Sequence, residues 1–181
     1  TGGPHIVLVA VSGHPHRRRC PMSRYKSLST EDITAIRQLQ NDHVGGNVLQ
    51  FRHRALYLQC TRCYRRMIDT SRLYDLKSSD RLTMTLKRIT ITTEVLANLS
   101  TSAVPDPVSQ SLMMLLKIKD DLLICRGSSG QDDGPSDQLK PWLHHLQHFV
   151  DEASPQCLQD AVILSLIPLL VEDVGCWAHG K

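Results

Sequence analysis

The chain of 181 residues (20.4 kDa) carries 41% hydrophobic and 22% charged side chains, a balance that fits one folded domain with a sizeable core and excludes disorder as a description of the whole. Aromatic residues, at 4%, are too few to build stacking platforms for nucleobases. A net charge of +3 is milder than the clustered excess expected of a dedicated nucleic-acid binder.

Residues 1–19 read as a tail outside the fold. The apolar run Ile6–Val11, followed by small residues, has the character of the end of a secretory signal, and Thr1-Gly2 that of a cloning scar. A single domain is expected over 20–176, with 177–181 as a short C-terminal tail. The first helix is predicted at 30–44: Ser29 and Asp32 form a pair like a capping box, and Leu28 and Ile33 have the spacing of a hydrophobic staple. Ile33, Ile36 and Leu39 mark one face, and Gly45-Gly46 stops the helix.

From Asn47 to Ser79 no single hydrophobic period persists, which predicts a long irregular connection carrying Cys60 and Cys63. Residues 80–99 carry two patterns at once. Leu82, Met84 and Leu86, then Ile89 and Ile91, alternate as a strand would, whereas Leu82, Leu86, Ile89, Leu96 and Leu99 fit a helix face. The absence of Gly and Pro over so long a stretch favours the helix. Asp106-Pro107 reads as a cap followed by a first-turn proline, and Val108, Leu112, Leu115, Leu116, Leu122 and Leu123 trace a stripe that ends at Arg126-Gly127. Gly127–Asp137 is expected to be a surface loop. Leu139, Trp142, Leu143, Leu146, Phe149 and Val150 then define an amphipathic helix.

The last helix opens at Ser154-Pro155 and runs to Gly175, apolar nearly all round, so it is either surrounded by other helices or keeps a face for a partner. Pro168 inside it predicts a bend between Leu164 and Pro168. Its longest apolar run, Ala161–Val171, is shorter than the roughly 20 residues of a membrane span and contains Ser165 and Pro168, so a soluble chain without membrane insertion is expected.

No nucleophile elbow, phosphate loop, dinucleotide fingerprint, HExxH or kinase signature occurs, which argues against an enzyme and gives no catalytic residue or cofactor to name. His144 and His148 have the spacing to clamp a metal from one helix face but lie off the apolar stripe, and read as solvated. Arg17-Arg18-Arg19 and Arg65-Arg66 offer at most weak contacts to acidic glycans.

The six cysteines, Cys20, Cys60, Cys63, Cys125, Cys157 and Cys176, are spread over the chain and permit 15 pairings. Zinc is the weaker reading because Cys60-Thr-Arg-Cys63 has no second pair of ligands at tight spacing, and a redox CxxC is expected to open a helix in a βαβ context, which is missing. Disulfides, and hence an extracellular protein, are the better account. The sequon Asn98-Leu99-Ser100 agrees with that, as a candidate glycosylation site.

Three stretches carry a resemblance. Cys20-Pro-Met-Ser-Arg-Tyr-Lys-Ser-Leu-Ser29 is similar to the Cys-x-x-x-Arg-Phe-Lys-Ser-Leu-Ser lead-in to helix A of the lambda (type III) interferons, in the class II helical cytokine family. Trp142-Leu-His-His-Leu-Gln147 resembles that family's Trp-Leu-His-Arg-Leu-Gln in helix E, and Cys157-Leu followed by an apolar helix with Leu169-Leu170 and Asp173 resembles helix F. The resemblance implies an all-α, disulfide-braced up-down bundle of about six helices, A to F, with a long A–B connection and no enzymatic activity. It implies a monomer bound by a private receptor chain, the interferon lambda receptor, and by the shared interleukin-10 receptor beta chain, signalling through Janus kinases and STAT proteins to an antiviral response.

It also implies disulfides from Cys20 to Cys125 and from one of Cys60 or Cys63 to Cys157, with the other left for Cys176. The private-receptor face would comprise Thr30, Ile33, Thr34 and Arg37 with Leu164, Ile167 and Val171. Arg24, Tyr25 and Lys26, with the exposed side of the Val108–Cys125 helix, would meet the shared chain. Leu164 and Ile167 stand where the family has aromatic residues, and Pro168 where it has Arg. Within the family the rivals are a type IV interferon and an interleukin-22-like cytokine. More remote are an intracellular basic helical nucleic-acid-binding protein, which only the Arg clusters favour, and a zinc-dependent enzyme.

Overall fold

The computed structural model describes residues 19–44, 61–70, 73–99, 106–128 and 134–180. The signal-like run, Arg17-Arg18, the Gly45-Gly46 stop and Cys60 lie outside them. After a 3-10 turn at Pro21–Tyr25 come the helices α1 (Thr30–Val44), α2 (61–68), α3 (Ser78–Leu99), α4 (Pro107–Ser128), α5 (Leu139–Glu152) and α6 (Pro155–Pro168). The last continues unbroken as a π-helical stretch, Leu169–Val174, and a closing turn, Gly175–Ala178. No strand occurs among the described residues.

Local chemistry starts the helices where the sequence signals lie. The Ser29 hydroxyl accepts the Asp32 N–H at 3.1 Å and donates to its carboxylate at 2.8 Å. Asp106 accepts the Ser109 N–H at 2.7 Å ahead of Pro107, and the Ser154 hydroxyl accepts the Cys157 N–H at 3.1 Å ahead of Pro155. Caps of this kind contribute about 1 kcal/mol each.

The two patterns in residues 80–99 both have a cause. α3 is buried on two sides: Leu82, Leu86, Ile89 and Leu96 join one apolar cluster, while Met84 and Ile91 join another. In the first cluster Ile36, Leu115, Ile118, Leu122 and Leu166 are fully buried. α1 and α3 each pack against both α4 and α6, which places α4 and α6 at opposite corners of the four-helix core. In the second cluster, Trp142, Leu146 and Phe149 of α5 meet Cys63 and Met67 of α2 and Ala161 and Val162 of α6.

Several sequence expectations are corrected. The connection 47–79 is not irregular throughout, because α2 forms within it. Only Cys63 and Met67, one helical turn apart, are buried there, so the apolar period is too short to register among Arg62, Arg65 and Arg66. On α4, Leu116 and Leu123 are 43% and 44% exposed; Met114 and Ile118 take the inward places, and the helix passes Arg126-Gly127 to end at Ser128. Irregular backbone in the last helix falls at Leu169–Val174, just after Pro168, and takes the form of wider π-type turns. The rod also passes residue 176: Ala178 is buried and Trp177 packs against the core.

As one helix, Pro155–Ala178 has 24 residues and a window of mean hydropathy 1.8, so by length and composition it is long enough to cross a membrane, which Ala161–Val171 alone understates. Its inward side packs on α1 and α3 and includes the buried Asp160 and Ser165, as befits the core helix of a bundle.

Disulfides join Cys20 to Cys125 and Cys63 to Cys157. The first pins the N-terminal 3-10 turn, with the fully buried Met22, to α4; the second pins α2 to the first turn of α6. Cys176 is exposed, and the bridge expected between it and Cys60 falls on a residue outside the described ones.

Candidate functional site

The seam between α1 and α6 is fixed by two polar contacts. Gln40 Nε2 donates to the Ile163 carbonyl at 3.0 Å, and His43 Nε2 lies 2.6 Å from Asp160 Oδ1. Three residues forward on α1 match three residues back on α6, so the helices are antiparallel. Carried toward the start of α1, the same register sets Arg37 level with Leu166, beside Ile167, and Ile33 level with Leu170, beside Val171. Ile33, Leu164 and Ile167 are half-buried along this seam, and Val171 is 66% exposed. Thr30, Thr34 and Arg37 are exposed beside it. The register therefore brings the seven residues to one side of the bundle: mostly polar from α1, apolar from the C-terminal rod.

Arg24, Tyr25 and Lys26 sit elsewhere, at the end of the 3-10 turn pinned to α4. The Tyr25 hydroxyl donates to the buried Asp121 carboxylate, which Arg24 also approaches at 3.6 Å. Burial, reinforced by the Asp121 acceptor, pushes the Tyr25 phenol well above its ordinary range. Lys26 is exposed. Sequence reasoning missed Asp121, which only the fold brings to Tyr25 from 96 residues away. On the outer side of α4, Met113 is 72% exposed, an unusual position for so large an apolar side chain.

The remaining candidates are quickly placed. Asn98 is exposed in the last turn of α3. His144 and His148 are exposed, and His148 meets Glu152 at 3.0 Å. Among the described residues no group of three His, Cys, Asp or Glu is arranged to hold a metal ion. Arg66 lies over the Phe149 ring at 5.2 Å, so one member of the Arg65-Arg66 pair serves packing.

A cavity of about 520 Å³ opens between α2, α3 and the C-terminal rod, with Tyr64, Glu172, Cys176 and Trp177 on its walls. Burial raises the Tyr64 phenol, helped by the Glu172 charge. Across it Arg88 pairs with Asp173 at 3.0 Å while covering the Trp142 ring at 5.2 Å, tying α3 to both α5 and the rod. Burial raises the Asp173 carboxyl above its usual 3.8 despite Arg88. A raised folded-state value makes the ionised form a burden on the fold at neutral pH, relieved as pH falls through that value and fully absent below 3.8. Urea midpoints at pH 7 and pH 4 are therefore expected to show that Asp173→Asn removes an acid-side gain present in the native chain. Identical pH dependence of the two proteins would contradict it.

Comparison with known proteins gives the family. The interleukin-28A family matches residues 17–180. Mouse (Mus musculus) interferon lambda-3 is 29% identical over 166 residues, covering 89% of this chain and 80% of that protein. Mouse interferon lambda-2 is 27% identical over the same shares. With nearly the whole chain matched and the helical, disulfide-braced fold in place, this protein belongs to the interleukin-28A family of type III interferons, which are cytokines and not enzymes.

Proposed function

We propose that this chain is a secreted antiviral cytokine that joins the interferon lambda receptor, as its private chain, to the interleukin-10 receptor beta chain, and so starts JAK-STAT signalling. The observation that carries this reading is the placement of two exposed apolar anchors, Val171 on the π-helical continuation of α6 and Met113 on α4, with α6 and α4 at opposite corners of the core. One receptor chain on each corner leaves both free of collision. The α1–α6 seam, with Thr30, Ile33, Thr34, Arg37, Leu164, Ile167 and Val171, takes the private chain. Arg24, Tyr25, Lys26 and the outer side of α4 take the shared one. Interface energy concentrates in a few anchors, and a charge placed on one is left unpaired when it is covered.

Val171→Glu is expected to weaken binding to the private-chain ectodomain by about 10-fold or more, leaving thermal stability and shared-chain binding unchanged. Met113→Glu is expected to do the reverse. Cells supplied with single receptor chains in turn give the second test. A response restored by a different private chain would favour a type IV interferon or an interleukin-22-like ligand, and no response in any pairing would overturn the proposal.

A further inference from the structure

On the side of the bundle away from the α1–α6 seam, α3, α4 and α5 frame an open groove of about 510 Å³. Its walls carry Lys87 from α3, Lys119 and Arg126 from α4, and His144 from α5, with no carboxylate and no Phe, Tyr or Trp among the lining side chains. Lys87 Nζ donates to the neutral amide of Gln147 at 2.7 Å, so its charge is held in place without being cancelled. The nearest acid on α5, Asp151, accepts from that same amide group at 2.9 Å, outside the lining. Between the cations lies Leu123, 44% exposed.

From this arrangement we infer that the groove binds a sulfated glycosaminoglycan chain of the heparin type. α3 and α4 together set three cations, Lys87, Lys119 and Arg126, around one depression, which is the electrostatic footprint of a polyanion. Lys119 and Arg126 are two turns apart on α4, about 10 Å at about 1.5 Å per residue, a span that one small anion cannot bridge and a polymer with repeated sulfates can. The apolar floor suits the C–H face of a sugar ring. Without Phe, Tyr or Trp the groove offers a base only the His144 ring and the Arg126 guanidinium to stack on, which disfavours single-stranded nucleic acid. The inference rests on the extracellular reading of the chain, and extends it to a surface separate from the α1–α6 seam.

The test uses the full chain on immobilised heparin over a range of salt. Wild type is expected to stay bound at 150 mM NaCl, and Lys87→Ser/Lys119→Ser/Arg126→Ser to lose about 10-fold or more in affinity, with the log–log salt slope shallower by roughly 2 to 3 as fewer counterions are released. Arg62→Ser/Arg65→Ser/Lys77→Ser removes the same charge elsewhere and is expected to bind nearly as wild type. The single variant Lys119→Glu gives a milder second reading of the same groove. Equal losses in the two triple variants would overturn the site in favour of net charge alone. Single-stranded DNA competing as well as heparin, or wild type released below 150 mM NaCl, would overturn the glycan. Private-chain binding of the groove variant, through the α1–α6 seam, is expected to be unchanged and separates a failure here from a failure of the cytokine reading.

Discussion

Replacing Cys63 and Cys157 together by alanine is expected to lower stability by about 3 to 5 kcal/mol, the range for a bridge that closes a loop of roughly 100 residues. The two cysteines are separated by 94 positions, and both are buried where α2 meets the first turn of α6. Against the about 5 to 15 kcal/mol that holds a typical domain together, a loss of that size is a large share. The melting temperature should fall by about 10 °C. Damage should also be local first. α2 contributes only two buried apolar side chains, Cys63 and Met67, so without its tether it is expected to lose amide protection ahead of α3 and α4. Hydrogen exchange on the double variant measures this. Protection lost evenly across all helices, or a melting temperature within about 2 °C of wild type, would contradict the role given to the bridge.

His43→Ala is expected to cost about 3 kcal/mol or more, whereas His43→Leu/Asp160→Leu is expected to be close to neutral. The asymmetry follows from burial. The Asp160 side chain is 1% exposed and that of His43 8%, and they meet at 2.6 Å. Besides His43, Asp160 accepts only from Gln156 at 2.9 Å, and its second oxygen has no hydrogen-bond partner among the described residues. Removing His43 leaves a carboxylate in the core with half its partners, while replacing both residues by leucine removes the polar groups altogether. Urea denaturation of the single and double variants decides it. If the double variant is as unstable as the single one, packing volume and not the buried charge sets the cost. Because this pair fixes the α1–α6 register, His43→Ala should also weaken private-receptor binding.

Most helix starts were legible because they depend on neighbours in sequence. Ser29, Asp106 and Ser154 each cap their own helix within three residues, and Pro107 and Pro155 need only their own ring geometry. What could not be read depends on residues far apart. Leu116 and Leu123 belong to the apolar stripe by spacing alone, yet α4 turns them to solvent because Leu115, Ile118 and Leu122 already fill the space against α1 and α3. α2 stayed hidden for the opposite reason, its arginines outnumbering its two inward positions. Three buried aspartates were equally out of reach. Asp80 accepts the Ser136 N–H at 3.1 Å, Asp121 takes Tyr25, and Asp160 takes His43, each across more than 50 positions of chain. The residues of the two proposed receptor surfaces came from a resemblance, and the antiparallel register of α1 and α6 is what brings seven of them to one side of the bundle.

The wide turns after Pro168 act like an inserted residue in the rod. Everything beyond them is rotated by about a quarter turn relative to an unbroken α-helix, since each residue advances about 100°. That rotation aims Trp177 and Ala178 at the 3-10 turn beside Met22. Excising one residue from Leu169–Val174 would leave a smoother spiral and yet unlatch the two ends of the chain, so the length of this segment is as tightly constrained as its composition.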